Sequence, residues 1–487
     1  MKKLIALVLV LAMCLPLVAC GGSGETSGNG TEATNPPATD ATQPAETEKT
    51  TFEKITDFGG YDFLIADWDS EEGEPVFNSS WEEFVHEYRI SMGEEYNFTY
   101  SRKNIALTGS YTELVPAKIM AGDKDVKMYY FFEGYVVPSV SQDLLWDLNE
   151  LDSYDPTDPK WNQMSIKAFS FNGATYAVDT AYTTPLMGMF YNKRLLEEAG
   201  LDPELPYKLQ AEGKWNWESF EQILAAVTRD TDNDGTTDIW GFASTYGNMV
   251  LSAVWSNGAA FVTRDENGKF YDGTTTPEFL ESMEWLVKLT NNGWLYKKPE
   301  GGSGNYALEA FQTGKLAFMP NNFWQADEAY IAECVDEWGW VYLPYGTSAS
   351  SVTLCCQSYG YAIPKTFSKE EAEKIFQIFD IITDLTVDGQ ANDWSIPGAD
   401  EYEDIYWSED VANSVRDIRA VDETLYNMMF NTDQLTTDYV RMVTGYNYSN
   451  FTSEIINQKM TPKEKIESML PANQAAINAA NALLGFE

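Results

Sequence analysis

Strand-like and helix-like segments alternate along residues 52–487, and this alternation limits the folds open to the chain. The pattern is typical of an α/β protein whose strands pair mainly in parallel. Residues 61–66 and 126–132 are the clearest strands, and aromatic or acidic residues follow each of them. Because ligands of open α/β sheets sit outside the carboxyl ends of the strands, we expect a binding site at these two ends.

Three helices carry a recognisable cap. A side-chain oxygen just before a helix accepts hydrogen bonds from the free N–H groups of the first turn, and this interaction predicts the boundary. The predicted caps are Asn216 before a helix over 217–227, Thr276 before a helix that starts at Pro277, and Ser368 in a capping box with Glu371.

The first twenty residues have the form of an export signal. Two lysines precede an apolar run over residues 4–15, which is too short to span a bilayer as a mature helix. The run LVAC at residues 17–20 follows, and it resembles the lipobox of bacterial lipoproteins. The resemblance implies that residues 1–19 are a signal peptide and that Cys20 is acylated, which anchors the protein to the outer face of a membrane. Ordinary signal cleavage nearby is the alternative.

Residues 20–51 read as a flexible linker behind the lipidated cysteine. After Cys20 they contain no large apolar side chain, so nothing offsets the entropy that folding would cost. A flexible coil of this length reaches about 30 Å, from ~5–6 Å × √n. Folding can therefore start only at about Phe52.

The charge and the single histidine exclude several classes of function. The chain has 32 Lys+Arg against 75 Asp+Glu, a net charge of −43, which argues against nucleic acid or anionic lipid as a partner. His86 lies among carboxylates on an amphipathic helical pattern, which disfavours a Ser-His-Asp triad, a Cys-His dyad or a His-rich zinc site. An enzyme would have to use carboxylates.

Five cysteines occur, and two of them, Cys14 and Cys20, belong to the export signal. Cys334, Cys355 and Cys356 remain, an odd number with an adjacent pair. We favour three buried thiols, with a disulfide from Cys334 to Cys355 or Cys356 as the alternative, since an exported protein is in a compartment that permits disulfides. No CxxC spacing suggests a metal.

Six segments carry a family likeness in their order along the chain. They are FNGATYAV at 171–178 with MFYNKRLLEEAGL at 189–201, WESF at 217–220, GKLAFMPNNFW at 314–324, WVYLP at 340–344, YAIPK at 361–365 and LPAN at 470–473. Together they resemble the extracellular solute-binding proteins of ABC importers, in the sugar-binding branch similar to maltose-binding protein. The likeness spans most of residues 60–480.

The resemblance implies an α/β, two-lobed, type II periplasmic-binding-protein-like fold with strands that cross a hinge and lobes that close on a ligand in the cleft. By analogy, one lobe would comprise residues 52–177 with 357–400, and the other residues 178–356 with 401–487. Residues 202–215 and 385–425 depart from the usual pattern of the family, and the sequence assigns no role to the second of these stretches.

Flat aromatic rings suit the apolar faces of a sugar, and carboxylates or amides suit its hydroxyl groups. Each aromatic residue could instead pack in the core, which is the commoner fate of such side chains. From the strand ends and the family pattern, the predicted ligand contacts are Asp67, Trp68, Phe132 and Glu133 on the first lobe and Tyr246, Trp255 and Trp324 on the second.

An Asp-rich stretch, DTDNDGTTD at residues 230–238, offers oxygen ligands at alternating positions. Such spacing, with Gly at the sixth position, suits calcium. Gly241 stands where an EF-hand needs Glu, so a full EF-hand is excluded. We expect a structural calcium held by Asp230, Asp232, Asp234 and Asp238, against the alternative of a solvated turn.

These features together predict a lipid-anchored extracellular receptor that delivers an oligosaccharide to an ABC permease. We expect it to be a monomer without catalytic activity or catalytic cofactor. A receptor for a peptide or another solute is the first alternative. A cell-surface glycoside hydrolase with two carboxylates is the second, although no segment resembles a hydrolase.

Overall fold

The structure is a computed structural model. It describes residues 54–68, 70, 80–106, 108–180, 185–322, 325, 334–349, 355–356, 358–387, 390–391 and 448–486. The predicted signal peptide, Cys20, the linker, Trp324 and almost all of residues 385–425 lie outside this part of the chain.

Fifteen strands are described, and nine of them build two larger sheets. They are β1 (Tyr61–Asp67), β2 (Phe98–Asn104), β3 (Val126–Phe132), β4 (Ser170–Phe171), β5 (Ala174–Thr175), β6 (Pro185–Asn192), β7 (Trp240–Phe242), β8 (Val262–Arg264), β9 (Phe270–Asp272), β10 (Leu316–Asn322), β11 (Trp338–Val341), β12 (Cys355–Cys356), β13 (Tyr359–Ala362), β14 (Thr386–Val387) and β15 (Gln390–Ala391). The two predicted strands are confirmed as β1 and β3.

The first sheet has the strand order β13-β3-β1-β2. Strands β1, β2 and β3 run parallel, and the register places Asp67 beside Asn104 at their carboxyl ends. Strand β13 runs antiparallel to β3, with Tyr359 opposite Phe132. The carboxyl ends of three strands and the start of a fourth therefore meet at one edge, which we call the first edge.

The second sheet has the order β11-β6-β10-β7, with β12 also paired to β6. Only β7 and β10 run parallel, and their carboxyl ends bring Phe242 and Asn322 to one side. Strand β6 is antiparallel to β10, and its start places Met187 opposite Asn322. We call this side the second edge.

The prediction of mainly parallel pairing is wrong, because four of the seven pairings in the two larger sheets are antiparallel. Strands β6 and β13 are each the first strand that the chain forms after passing from one sheet to the other. Such a strand begins at the edge where the parallel strands end, so it must run against them.

Thirteen α-helices are described. They are α1 (Ser80–Tyr96), α2 (Thr108–Met120), α3 (Glu133–Val140), α4 (Gln163–Ala168), α5 (Lys193–Glu198), α6 (Leu205–Ala211), α7 (Trp217–Val227), α8 (Tyr246–Ser256), α9 (Pro277–Asn291), α10 (Tyr306–Gln312), α11 (Lys369–Thr383), α12 (Tyr448–Ile456) and α13 (Pro462–Leu483). The three predicted caps are confirmed, since Asn216, Thr276 and Ser368 each accept a backbone N–H in the first turn. No described helix has both the length and the apolar character that crossing a membrane would need.

Two groups of buried side chains form the core. One lies between the first sheet and α11, and the other continues from the opposite face of that sheet into the helices around the second sheet. The first group includes Phe63, Ile65, Met128, Ile375 and Phe379, and the second includes Tyr129, Phe131, Leu224, Val254 and Phe318. The faces of both sheets are therefore covered, and their strand ends are the places where a ligand could meet the backbone.

Two short hairpins meet in this fold. Strands β4 and β5 are joined by Asn172 and Gly173, both with positive φ, 51° and 84°, a conformation typical of a two-residue hairpin turn. Strands β8 and β9 form the other hairpin, which lies against the first because the backbone N–H of Asn172 donates to the carbonyl oxygen of Asn267 at 3.0 Å.

Candidate functional site

Three aromatic rings lie nearly parallel to one another at the first edge. Trp68 stacks on Tyr130 at 5.4 Å between ring centroids and 10° between planes. Tyr130 stacks on Tyr359 at 5.4 Å and 13°, and Trp68 lies 6.2 Å from Tyr359 at 21°. All three side chains keep part of their surface exposed. We call Trp68, Tyr130 and Tyr359 the aromatic platform.

Neighbouring rings fix the orientation of Trp68. Tyr111 and Tyr135 contact it edge-on at 5.2 and 5.7 Å, and the Tyr111 hydroxyl donates to the carbonyl oxygen of Ala66 at 3.0 Å. Rings held in this way lose little further side-chain entropy when they stack on a ligand. The platform is therefore a preorganised group of stacked aromatic rings.

Phe132 and Glu133 end β3 and begin α3. The ring of Phe132 is largely buried and contacts Tyr135 edge-on at 5.3 Å and Tyr359 at 6.1 Å, so it supports the platform. The backbone of Glu133 starts α3, while its side chain lies outside what the structure describes.

Asp67 occupies the carboxyl end of β1, and its side chain has no exposed surface. Its carboxylate forms an ion pair with the Arg102 guanidinium. It also accepts hydrogen bonds from the backbone N–H and the hydroxyl of Ser70, at 3.1 and 2.7 Å. Asp67 is therefore a buried support of the first edge in this structure.

Burial keeps the Tyr130 phenol neutral. Loss of hydration raises its pKa well above the ordinary value, and the nearby Asp179 carboxylate adds to the rise. Burial likewise raises the pKa of Tyr361, whose ring lies 4.5 Å from that of Tyr130. Both hydroxyl groups stay protonated over the whole physiological range, so the platform presents neutral rings.

Amide side chains gather at the second edge. Asn321, only 6% exposed at the end of β10, accepts a hydrogen bond from Asn248 at 2.9 Å and donates to Gln325. Ser244 lies in the loop between β7 and α8. Its hydroxyl donates to the carbonyl oxygen of Pro320 at 2.6 Å and so holds this loop against β10. Amides both donate and accept, so this group can bind hydroxyl groups.

The predicted contacts of the second lobe have different positions. Tyr246 begins α8 at the second edge and is half-buried. Trp255 lies nine residues further along the same helix, about 13 Å at 1.5 Å per residue, and has no exposed surface. Its position in this structure is therefore in the core. Trp324 lies outside the described residues. Ligand contact stays a prediction for all seven residues that the sequence analysis assigned to the binding site.

Sequence reasoning missed Tyr130 and Tyr359. The first had a usable signal, since it stands two residues before Phe132 and therefore on the same face of β3. The second had none, because its place depends on the pairing of β13 with β3.

Three of the four predicted calcium ligands lie together in the loop between α7 and β7. One carboxylate oxygen from each of Asp230, Asp232 and Asp238 lies within 4.8 Å of the others, and Asp234 is not part of this group. Asp234 instead accepts the backbone N–H of Thr236 at 2.7 Å. Hydrogen bonds from Thr231 lower the pKa of Asp238, so its carboxylate is charged at neutral pH.

Cys334 is a free, half-buried thiol, whose Sγ lies 3.4 Å from the carbonyl oxygen of Phe311. Burial raises its pKa, so less of it is thiolate at neutral pH. The backbones of Cys355 and Cys356 form β12, and their side chains lie outside the described set.

A model of the family described as "Bacterial extracellular solute-binding protein" matches residues 104–380, more than half of the chain. The chain belongs to this family. The match covers the platform residues Tyr130 and Tyr359 as well as the amide group of the second edge.

Known proteins similar to this solute-binding protein agree with that assignment. The polygalacturonan/rhamnogalacturonan-binding protein of Bacillus subtilis is 23% identical over 260 residues, which is 50% of this chain and 49% of that protein. The chain thus matches about half the length of this curated relative.

Solved structures of sugar-binding proteins have the same fold. A cyclo/maltodextrin-binding protein complexed with maltotetraose is 14% identical over 86% of this chain and 98% of its own, with a TM-score of 0.59. A cyclic α-maltosyl-1,6-maltose binding protein from Arthrobacter globiformis is 15% identical over 88% of this chain and 100% of its own, with a TM-score of 0.57. The predicted two-lobed α/β fold of periplasmic binding proteins is confirmed.

Proposed function

We propose that this protein is the receptor of an ABC importer for an oligosaccharide. The aromatic platform is the observation that carries the proposal, since the exposed parts of its preorganised rings suit the apolar face of a sugar. The amide group of the second edge adds donors and acceptors suited to hydroxyl groups. The family assignment and the sugars named for similar proteins support the same ligand class.

Binding works through closure rather than chemistry in this proposal. The two lobes, taken as residues 52–177 with 357–400 and 178–356 with 401–487, close on the sugar, and the closed form is what the permease recognises. The sugar stabilises the closed form in proportion to its preference for that form over the open one. It is released unaltered.

The ligand class is tested by thermal shift and calorimetry with maltodextrins, oligogalacturonides, rhamnogalacturonan fragments and a peptide library. We expect stabilisation by one of the carbohydrates and by none of the peptides. Stabilisation by peptides alone would establish the first alternative, and cleavage of the bound sugar, read by mass spectrometry, would establish a hydrolase.

Replacing Tyr359 with Ala tests the platform directly. We expect the affinity for the sugar to fall by more than tenfold, about 1.4 kcal/mol, because one stacking surface is lost. The matched control is Tyr271→Ala on β9, a tyrosine that is 46% exposed and makes no contact with the platform rings. Equal affinity of both variants would show that the platform is not the binding surface. Trp324→Ala is expected to weaken binding by a similar factor.

Lipid anchoring through Cys20 places the receptor on the extracellular face of the membrane in this proposal. The lipobox-like residues 17–20 support it. Replacing Cys20 with Ala should move the protein from the membrane fraction to the medium, because no acyl chain can then be attached. Retention of the variant in membranes would contradict the anchor.

We further propose that the loop at residues 230–238 holds a structural calcium ion. The three gathered carboxylates Asp230, Asp232 and Asp238 support it, with Asp234 as the weakest of the predicted ligands. Millimolar calcium should raise the melting temperature, and Asp232→Asn should abolish the rise. An unchanged melting temperature would leave only a solvated turn.

A further inference from the structure

An arginine reaches from the far side of the first sheet to the aromatic platform. Arg102 lies on β2 and Tyr130 on β3, and β1 runs between them. Strands spaced ~4.8 Å apart put the two backbones roughly 10 Å from each other. The Arg102 guanidinium nevertheless lies over the Tyr130 ring, 5.0 Å from its centroid. The side chain therefore extends across a whole strand.

The strand between them supplies the partner that holds this arginine in place. Pairing places Ile65 beside both Arg102 and Met128, so Asp67 and Tyr130, each two residues further along, share the same face. The Asp67 carboxylate accepts the Nε–H of Arg102. The guanidinium thus donates to the carboxylate through Nε while its centre lies over the ring, whereas a lysine ammonium is a compact point charge without a planar group.

The ion pair is itself fixed to the backbone. Two hydrogen bonds from Ser70 restrain the Asp67 carboxylate, and the carbonyl oxygen of Asp67 accepts the N–H of Ile105 at 3.0 Å. The ends of β1 and β2 are therefore held together beside the arginine. The Asp67 side chain is fully buried, whereas Arg102 is 29% exposed.

We propose that the Asp67–Arg102 pair is the positioning element of the platform: it holds the Tyr130 ring parallel to Trp68 and Tyr359 and thereby sets the affinity for the sugar. Arg102 is a positioning residue, acting through Tyr130, and this role rests on the proposed function. Arg102 is not among the residues predicted to contact the ligand, and in this proposal Asp67, which is among them, supports the platform.

Arg102→Lys tests the proposal, because it keeps the charge that Asp67 needs and removes the flat face. We expect at least a tenfold loss of sugar affinity and a changed near-ultraviolet circular dichroism spectrum. The difference spectrum should shrink when the substitution is repeated in a Trp68→Phe background, since the indole that couples to the Tyr130 ring is then absent. The matched control is Arg194→Lys, which alters another arginine–carboxylate pair, with Asp336 in the segment before β11.

The spectrum separates the failure of this inference from that of the proposed function. If the wild-type protein binds no carbohydrate, the proposed function fails, and the ligand-free spectrum of Arg102→Lys still decides whether the platform is positioned by the pair. If Arg102→Lys binds sugar like the wild type, or its spectrum changes no more than that of Arg194→Lys, the inference is overturned. Should the single variant fail to fold, the double variant Asp67→Asn/Arg102→Met removes both charges together and is read in the same two ways.

Discussion

At the scale of single residues, Asp336 shows how one carboxylate joins three segments next to the second sheet. Arg194 donates to both of its oxygens, at 2.6 and 2.9 Å, and Asn192 donates to one of them at 2.8 Å. These hydrogen bonds lower the pKa of Asp336, with that from Arg194 as the largest cause. The carboxylate links the end of β6, the start of α5 and the segment that leads into β11.

Replacing Asp336 with Asn should lower the free energy of unfolding by about 2 kcal/mol at pH 7, because charge-assisted hydrogen bonds are lost. The folded-state pKa lies below the ordinary value of 3.8, so the stabilisation is complete above 3.8 and disappears as the pH falls through the folded pKa. Thermal melting of both proteins should therefore differ at pH 7 and converge in acid.

The control for this prediction is Asp152→Asn. Asp152 pairs with Lys369 at 3.3 Å, and both side chains are about half exposed, so the substitution should change little. A difference between Asp336→Asn and wild type that persists unchanged into strong acid would contradict the assigned cause.

Gly188 is required by the packing of a buried tryptophan. A Cβ at this position in β6 would lie 2.1 Å from an indole carbon of Trp340, whose side chain has no exposed surface. Gly188→Ala should therefore destabilise the protein by about 1–3 kcal/mol, as overpacking does in cores. Gly304→Ala is the control, since a Cβ there would meet no atom within 4 Å. Chemical denaturation that shows equal midpoints for both variants would contradict this packing.

At the scale of elements, a buried asparagine attaches the C-terminal helix to a hairpin. The side chain of Asn481 on α13 accepts the N–H of Phe270 at 2.8 Å and donates to its carbonyl oxygen at 2.9 Å. Phe270 begins β9, and Arg264 at the end of β8 donates to the carbonyl oxygen of Ser170 on β4. Hydrogen bonds thus connect α13 to the β8–β9 hairpin and the β8–β9 hairpin to the β4–β5 hairpin.

Asn481→Ala should weaken the attachment of α13 to the β8–β9 hairpin. It leaves the buried N–H and C=O groups of Phe270 without their partner, which we expect to lower stability by about 2 kcal/mol or more. Hydrogen exchange should accelerate in α13 and in the β8–β9 hairpin. Asn478→Ala, an exposed asparagine one turn earlier on the same helix, is the control and should leave both rates unchanged. Similar exchange in both variants would contradict the role of Asn481.

At the scale of the whole molecule, lobe closure should be visible in solution. A sugar selected by the thermal-shift screen should reduce the radius of gyration measured by small-angle X-ray scattering. At one hundred times its dissociation constant, the sugar should add about 2.7 kcal/mol to the free energy of unfolding. Tyr359→Ala should shift both effects to higher sugar concentration. A ligand that stabilises the protein with an unchanged radius of gyration would contradict closure.

The confirmed predictions of the sequence analysis depend on interactions between residues that are close in the sequence. The caps Asn216, Thr276 and Ser368 act on backbone groups within three residues, and strands β1 and β3 are continuous runs of strand-forming residues. The family motifs are likewise local. Each of these features could be read from neighbouring residues, and the order of the motifs then indicated the fold.

The platform depended on pairing between distant segments. Strand β13 had to align with β3 before Tyr359 could stand opposite Phe132, and Arg102 had to cross β1 before it could reach Tyr130. The same dependence explains Trp255, an aromatic residue that the sequence places near the second edge and the packing of α8 places in the core.

The sequence by itself therefore determined the family, the starts of three helices and the two strands whose ends build the first edge. The tertiary structure decided which aromatic rings lie parallel and which charged pair supports them. The reason is physical: caps and strand propensities act over a few residues, whereas strand register is set by the burial of whole sheet faces, and a shift by one residue would turn every side chain to the opposite face.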